Sequence, residues 1–245
     1  MFKNYDIRAF SKSQNSIYVL IDEIGRKINP RIGCFHDGVA FPEFYLESNR
    51  KVMWVLKNSY DDSDEDGNPV SDGQDIRDWF CDEALELAAH KQIFVKMALA
   101  SYCIQTDIPY SEELLSDKAK IMQALKAIAL VDLSKLPGGK TISDKELKKE
   151  FSYFQNIVSA QIDLYKPDVV IFGNTLHLCH QLFPGLNYSE TDEVYESDGN
   201  CLVRSFSDSL NNCTYIEAYH PSYPLSYEDF AGTIVNAAQI KSGSL

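Results

Sequence analysis

Four short apolar runs constrain this chain more than anything else in it. They are Val52-Met53-Trp54-Val55-Leu56, Ala127-Ile128-Ala129-Leu130-Val131-Asp132-Leu133, Val169-Val170-Ile171-Phe172 and Tyr215-Ile216-Glu217-Ala218-Tyr219. Runs of this length without polar alternation read as strands covered on both faces. Helical spacing fills much of the chain between and around them. Ile17, Leu20, Ile21, Ile24 and Ile28 put a helix over residues 10–28, stopped by Asn29-Pro30. Helical periodicity continues over 76–105 and 112–127. Ser143 and Glu146 form a capping box that opens a long helix to Tyr165, and Pro167 marks its boundary. A short helix is expected over 176–182, and Ser226 caps a last one to about residue 240. Residues 33–48 read as an irregular aromatic-bearing loop and 61–75 as an acidic one. Residues 186–206 read as a hairpin turning at Asp198-Gly199-Asn200.

Parallel strands joined by helices bury both sheet faces, so the expected fold class is α/β: three layers, α/β/α, around a short four-stranded parallel sheet. The 245 residues fit a single domain over 1–245, with 1–50 as a helical and loop extension packed on it. At 44% hydrophobic and 24% charged, the composition is that of a globular chain. No apolar stretch is long enough for a transmembrane helix, and residues 1–7 lack a signal-peptide core, so a cytoplasmic location without membrane partners is expected. The six cysteines form no C-x-x-C unit, which favours free thiols; neither metal nor cofactor is expected. Lys and Arg number 23 against 36 Asp and Glu, a formal charge of −13. That opposes a generic nucleic-acid or anionic-membrane surface and leaves room for a local basic groove.

In parallel sheets ligands sit beyond the carboxyl ends of the strands. This selects residues 56–62, 132–140, 173–177 and 219–226. They hold Lys57, Asn58, Ser59 and Tyr60; Asp132 and Lys135; Gly173 and Asn174; and His220, Pro221 and Ser222. The motifs in order are Val52 to Tyr60, then Gly67-Asn68-Pro69-Val70-Ser71-Asp72-Gly73, Asp132-Leu133-Ser134-Lys135-Leu136-Pro137, Pro167 to Gly173, and Tyr219-His220-Pro221-Ser222. This ordered set, over residues 50–240, resembles the uracil-DNA glycosylase superfamily, closest to its family 4 type. The resemblance implies that fold and hydrolysis of the N-glycosidic bond of a damaged or deaminated base. Its partner would be DNA or a free nucleobase or nucleotide. Asn58 and His220 would be catalytic, and Lys57, Ser59, Tyr60, Asp132, Lys135, Gly173, Asn174, Pro221 and Ser222 would line the substrate. The departures are specific. Leu56 replaces the first-turn Gly, Lys57 the catalytic Glu, Val70 the stacking Phe and Asp132 the base-reading Asn. The four iron–sulfur cysteines are absent, so no cluster is implied. Asn58 matches the water-positioning Asn of the mismatch-specific relatives.

Glycosidic cleavage needs an extruded base, a placed water, negative charge near the cationic sugar and a donor for the departing base. His220 as a neutral imidazole fits the donor, and Asn58 holds the water. Lys57 disfavours a cationic sugar, so cleavage is slow unless Asp61, Asp62 or Asp64 reaches the site. Ionised Asp132 only accepts hydrogen bonds. It suits cytosine's amine or guanine's N1–H and N2–H better than uracil. The alternative is a catalytically inactive nucleobase-binding or nucleotide-binding module of the same fold. A basic groove with Leu225 exposed as a wedge would favour DNA, and an acidic rim on a closed pocket a small ligand. A third class, an acidic surface mimicking DNA for a protein partner, needs a longer acidic face than 61–75.

Plainer roles stand beside these. His220 before Pro221 braces turns, Asp132 caps or braces loops, and Lys57 and Lys135 are either solvated or grip a phosphate. Tyr60, Tyr219 and Tyr223 are core or rim aromatics, of which one must stack if the pocket is real. Residues 62–67 match half a calcium loop, but Gly73 takes the place of its last acid. Gly139-Lys140-Thr141 resembles a phosphate loop whose first Gly is Ser134 here.

Overall fold

The computed structural model describes residues 6–31, 33–58, 73–81, 85–86, 88–138, 141–187, 193–197, 200–208, 210 and 212–239. Helix α1, Ile7–Ile28, starts where the Asp6 side chain accepts from the Ala9 N–H, and buries Phe10, Ile17, Tyr18 and Ile21. Residues 33–48, expected as a loop, instead carry strands β1 (Phe35–His36) and β2 (Gly38–Val39) and helix α2 (Pro42–Glu47). The local sequence lacks a period here; pairing of Gly38 and Val39 with Leu130 and Ala129 makes the strand. Gly38 is required twice over: its φ of +130° is one that side chains rarely adopt, and a Cβ there would collide with the Tyr165 hydroxyl.

Strand β3 is Val52–Leu56, β4 is Gln74–Asp75, and helix α3 is Ile76–Trp79. Helix α4 covers Gln92–Thr106, a 3-10 turn Glu112–Ser116, and helix α5 Lys118–Lys126. The expected helix over 76–105 is therefore interrupted, and that over 112–127 starts as a 3-10 turn. Strand β5, Ile128–Asp132, leads to helix α6, Asp144–Tyr165, whose Ser143–Glu146 capping box is fully formed. Strand β6, Val169–Gly173, precedes helix α7, Leu176–Cys179. Strands β7 (Glu193–Ser197) and β8 (Asn200–Ser207) form the expected hairpin. Strand β9, Thr214–Ala218, is followed by a π-helical turn, Glu228–Gly232, and helix α8, Thr233–Gln239.

The fold is α/β. Four parallel strands, in the order β5-β3-β6-β9, occupy the positions of the four apolar runs. The sheet is larger than the four strands expected: antiparallel β2 extends one edge, and β8 then β7 the other. All five residues of each parallel strand are buried. Their side chains alternate between two cores. Val52, Trp54 and Leu56 face α4, α5 and α8; Met53 and Val55 face α2, α6 and α7. Trp54 is buried against Phe230, with its Nε1–H donated to Ser101 Oγ at 2.9 Å. Helix α1 packs on α6 through Ile17, Tyr18, Ile21, Phe154 and Ile157, so the N-terminal segment is built into the layer rather than appended to it. Among the described residues, no helix is long and apolar enough to cross a membrane.

Candidate active site

The chain leaves β3 toward β5 on one side and returns from β5 to β6 on the other. Strand order thus reverses between β3 and β6, and a crevice opens there beyond the carboxyl ends. The ladder runs on past β3: Leu133 N–H donates to Leu56 O and Ser134 N–H to Lys57 O, both at 3.0 Å. Thr175 Oγ donates to Val55 O at 2.8 Å, tying the segment after β6 to β3. Asn174, at φ +58°, donates its N–H to Ala218 O at 2.8 Å and turns the chain over β9.

Gly173 lies where these segments meet. A Cβ there would sit 2.6 Å from Leu56 Cδ2, 3.4 Å from Pro221 Cδ and 3.6 Å from His220 Cα. The absence of that methyl lets the β3 and β9 exits close on one another. On the α6 side, Lys57 Nζ meets Asp144 Oδ1 at 3.2 Å, and His177 Nε2 meets Asp144 Oδ2 at 3.1 Å. Hydrogen bonds from Lys57 and His177 hold the Asp144 carboxyl below its ordinary range.

His220 is the chemically defined group. Its Nδ1 accepts from the Ser222 N–H at 3.2 Å and from Ser222 Oγ–H at 2.7 Å. Because a backbone N–H can only donate, the ring proton is assigned to Nε2. Burial, aided by the charge of Lys57, pushes the His220 pKa down to about 4. At neutral pH the ring is an uncharged imidazole with an Nε2–H donor.

The other expected residues divide. Asn58 is half-buried beyond β3. Asp132 is buried opposite Leu56, and its backbone N–H donates to Asp37 Oδ2 at 2.5 Å. Strand alternation puts both on the α4–α8 side, away from Lys57. Ser59, Tyr60, Asp61, Asp62, Asp64 and most of the Gly67–Gly73 motif lie outside the described residues. Lys135 is a correction. It is fully buried, and its ammonium is committed to Asp37 Oδ2 (2.5 Å), Asp132 O (2.6 Å) and Gln161 Oε1 (2.9 Å). Three acceptors use all three N–H donors, leaving none for a phosphate.

Sequence reasoning missed Asp144 and His177. Asp144 follows a capping serine at a helix start, where an acid has a structural reason to be; His177 stands in a segment the strand-end rule selects. A groove of about 480 Å³ runs along β8 and β9 and is lined by Asn174, Cys201, Val203, Arg204, Glu217 and Tyr219. Arg204 pairs with Glu217 at 2.8 Å. Leu225, whose exposure as a wedge would have favoured DNA, is half-buried against the α4–α8 core. Among the described residues, no group of three His, Cys, Asp or Glu side chains is placed to hold a metal ion. No protein-family model and no curated protein matches the chain.

Proposed function

We propose that this crevice is a nucleobase site that hydrolyses an N-glycosidic bond, the reaction of the superfamily the strand ends resemble. The observation that carries the reading is His220: a neutral, tautomer-fixed donor beyond the carboxyl end of β9, its Cα close to Gly173 at the end of β6. The four parallel strands and their carboxyl-end loops support a uracil-DNA glycosylase-like fold, and with it a role in DNA repair.

A departing base accumulates negative charge on a ring carbonyl, and a preorganised donor is worth most where charge develops. Nε2–H of His220 fills that role without bringing a competing positive charge to the sugar. Asn58 orients the attacking water. Asp144 offsets the charge of Lys57, which softens the penalty Lys57 imposes on a cationic sugar. Asp132, as an acceptor, selects a base edge that donates, as cytosine and guanine do.

The test is a glycosylase assay on oligonucleotides carrying uracil, hypoxanthine, xanthine or normal bases, single- and double-stranded, with alkaline cleavage at abasic sites. The expected result is cleavage that disappears in both Asn58→Ala and His220→Ala. A second reading, a binding module without catalysis, is favoured by the pairing of Lys57 and Arg204 with carboxylates. Absence of cleavage at excess of folded protein would replace the first reading with the second and make free nucleotides the next ligands to titrate.

A further inference from the structure

Resting on the reading of a nucleobase site, we infer that Tyr223 is a stacking platform for an unpaired base, so that the ligand is a nucleotide already out of a duplex. The Tyr223 ring lies on Tyr219 with centroids 4.3 Å apart and planes within 15°. Tyr223 is also 46% exposed, among the most exposed large side chains described. Tyr219 stacks on one ring face, and the exposed part of the ring is where a base would stack.

The platform is rigid before anything binds. Tyr223 N–H donates to His220 O at 2.8 Å, closing a tight turn, and Tyr223 O accepts from Leu225 N–H at 2.8 Å. The same carbonyl accepts from Lys96 Nζ at 2.7 Å. Lys96 reaches it from α4, fully buried, with its ammonium 5.2 Å from the centre of the Phe230 ring. With its backbone held and its ring stacked on Tyr219, the side chain gives up less freedom on binding than an unstacked one would.

Position and chemistry agree. Tyr219 immediately precedes His220 and lines the groove with Asn174 and Arg204, so the stacked pair joins the groove to the donor. The Arg204 side chain is 45% exposed while paired with Glu217, and a guanidinium has donors to spare for a phosphate oxygen. Base–aromatic stacking tolerates any base, the hallmark of single-strand binding. A duplex reader must extrude its base. The apolar residue of this loop suited to holding a stack open, Leu225, is half-buried against the α4–α8 core.

Fluorescence anisotropy with the full chain tests this. The probes are a labelled twelve-nucleotide single strand, the same strand as a duplex, and nucleoside monophosphates as competitors. The wild type is expected to bind the single strand at least tenfold more tightly than the duplex. Tyr223→Ala and Tyr223→Leu should each weaken single-strand binding about tenfold, while Tyr223→Phe stays within about twofold, because stacking needs the ring and not the hydroxyl. Monophosphates that compete on equal terms identify a free nucleotide as the source; weak competition identifies a strand. Equal or tighter duplex binding, or unchanged binding by Tyr223→Ala, would overturn the platform and leave the nucleobase site standing. A wild type that binds neither strand nor monophosphate would overturn both.

Discussion

His220 and Lys135 show how far a single residue's chemistry depends on what surrounds it. Burial and Lys57 keep His220 neutral, so the uncharged donor should persist as pH falls until about pH 4, where the ring protonates, Nδ1 stops accepting from Ser222 and a positive charge enters the site. Lys57→Met removes one of the two causes and should move that limb toward the ordinary histidine value of about 6.5. An NMR titration of the His220 ring reads it, and an unmoved pKa would exclude Lys57 as a cause. Lys135 and Asp37 form an ion pair in which both side chains are fully buried. Lys135→Met leaves the Asp37 carboxylate uncompensated and should cost about 3–5 kcal/mol in urea unfolding, with part recovered by adding Asp37→Asn. A loss below 1 kcal/mol would show that the ion pair adds little to stability beyond the bonds Asp37 accepts from Gln161 and Asp132. His220 was legible in the sequence because the His-Pro-Ser segment ends an apolar run. The burial of Lys135 was not, because its partner Asp37 is 98 residues away in sequence.

Helix α1 is held to the β1–β4 pair through His36, which meets Asp22 at 2.8 Å and stacks on Tyr18 at 4.6 Å. Burial opposes its protonation, but hydrogen bonds to Asp75 and Asp22 win, and its pKa is raised above the ordinary value. A raised histidine contributes stability fully below its unfolded pKa, about 6.5, and loses it as pH rises through the folded value. Wild-type stability should therefore decline from neutral into mildly alkaline pH, and His36→Gln should flatten that decline in urea midpoints measured across the range. A parallel decline in both would remove His36 from the cause. At the other end of the layer, the start of α6 places Asp144 against Lys57. Ser143→Ala removes the acceptor for the Glu146 N–H and should cost about 1 kcal/mol. The capping box was readable as a local pattern. Strands β1 and β2 were not, because each is two residues long and exists through its partner strand.

The whole molecule carries a formal charge of −13, and the cations nearest the crevice and groove, Lys57 and Arg204, are matched by Asp144 and Glu217. Affinity for a nucleic acid should therefore come from base contacts more than from counterion release. A plot of log affinity against log salt is expected to have a slope no steeper than about −2, two or three phosphates' worth. A slope steeper than about −4 would show a basic track elsewhere on the chain and refute a base-centred site.

The sequence by itself determined the parallel core. Apolar runs bounded by polar residues have no stable place except a strand covered on both sides, and helical spacing between them supplies the covers. It also determined which loops gather at one end of the sheet, because in a parallel sheet all carboxyl ends open on one side. The tertiary structure alone decided which polar residues stand in the crevice and which are locked below it. Lys57 and Lys135 look alike as residues. One ends on the α6 side paired with Asp144, and the other is sealed among Asp37, Asp132 and Gln161. The same holds for Leu225 and Tyr223, two residues apart, of which the first packs half-buried against the α4–α8 core and the second is left open to solvent. A charge or a ring takes its function from the partners that folding brings to it, and those partners are distant in sequence.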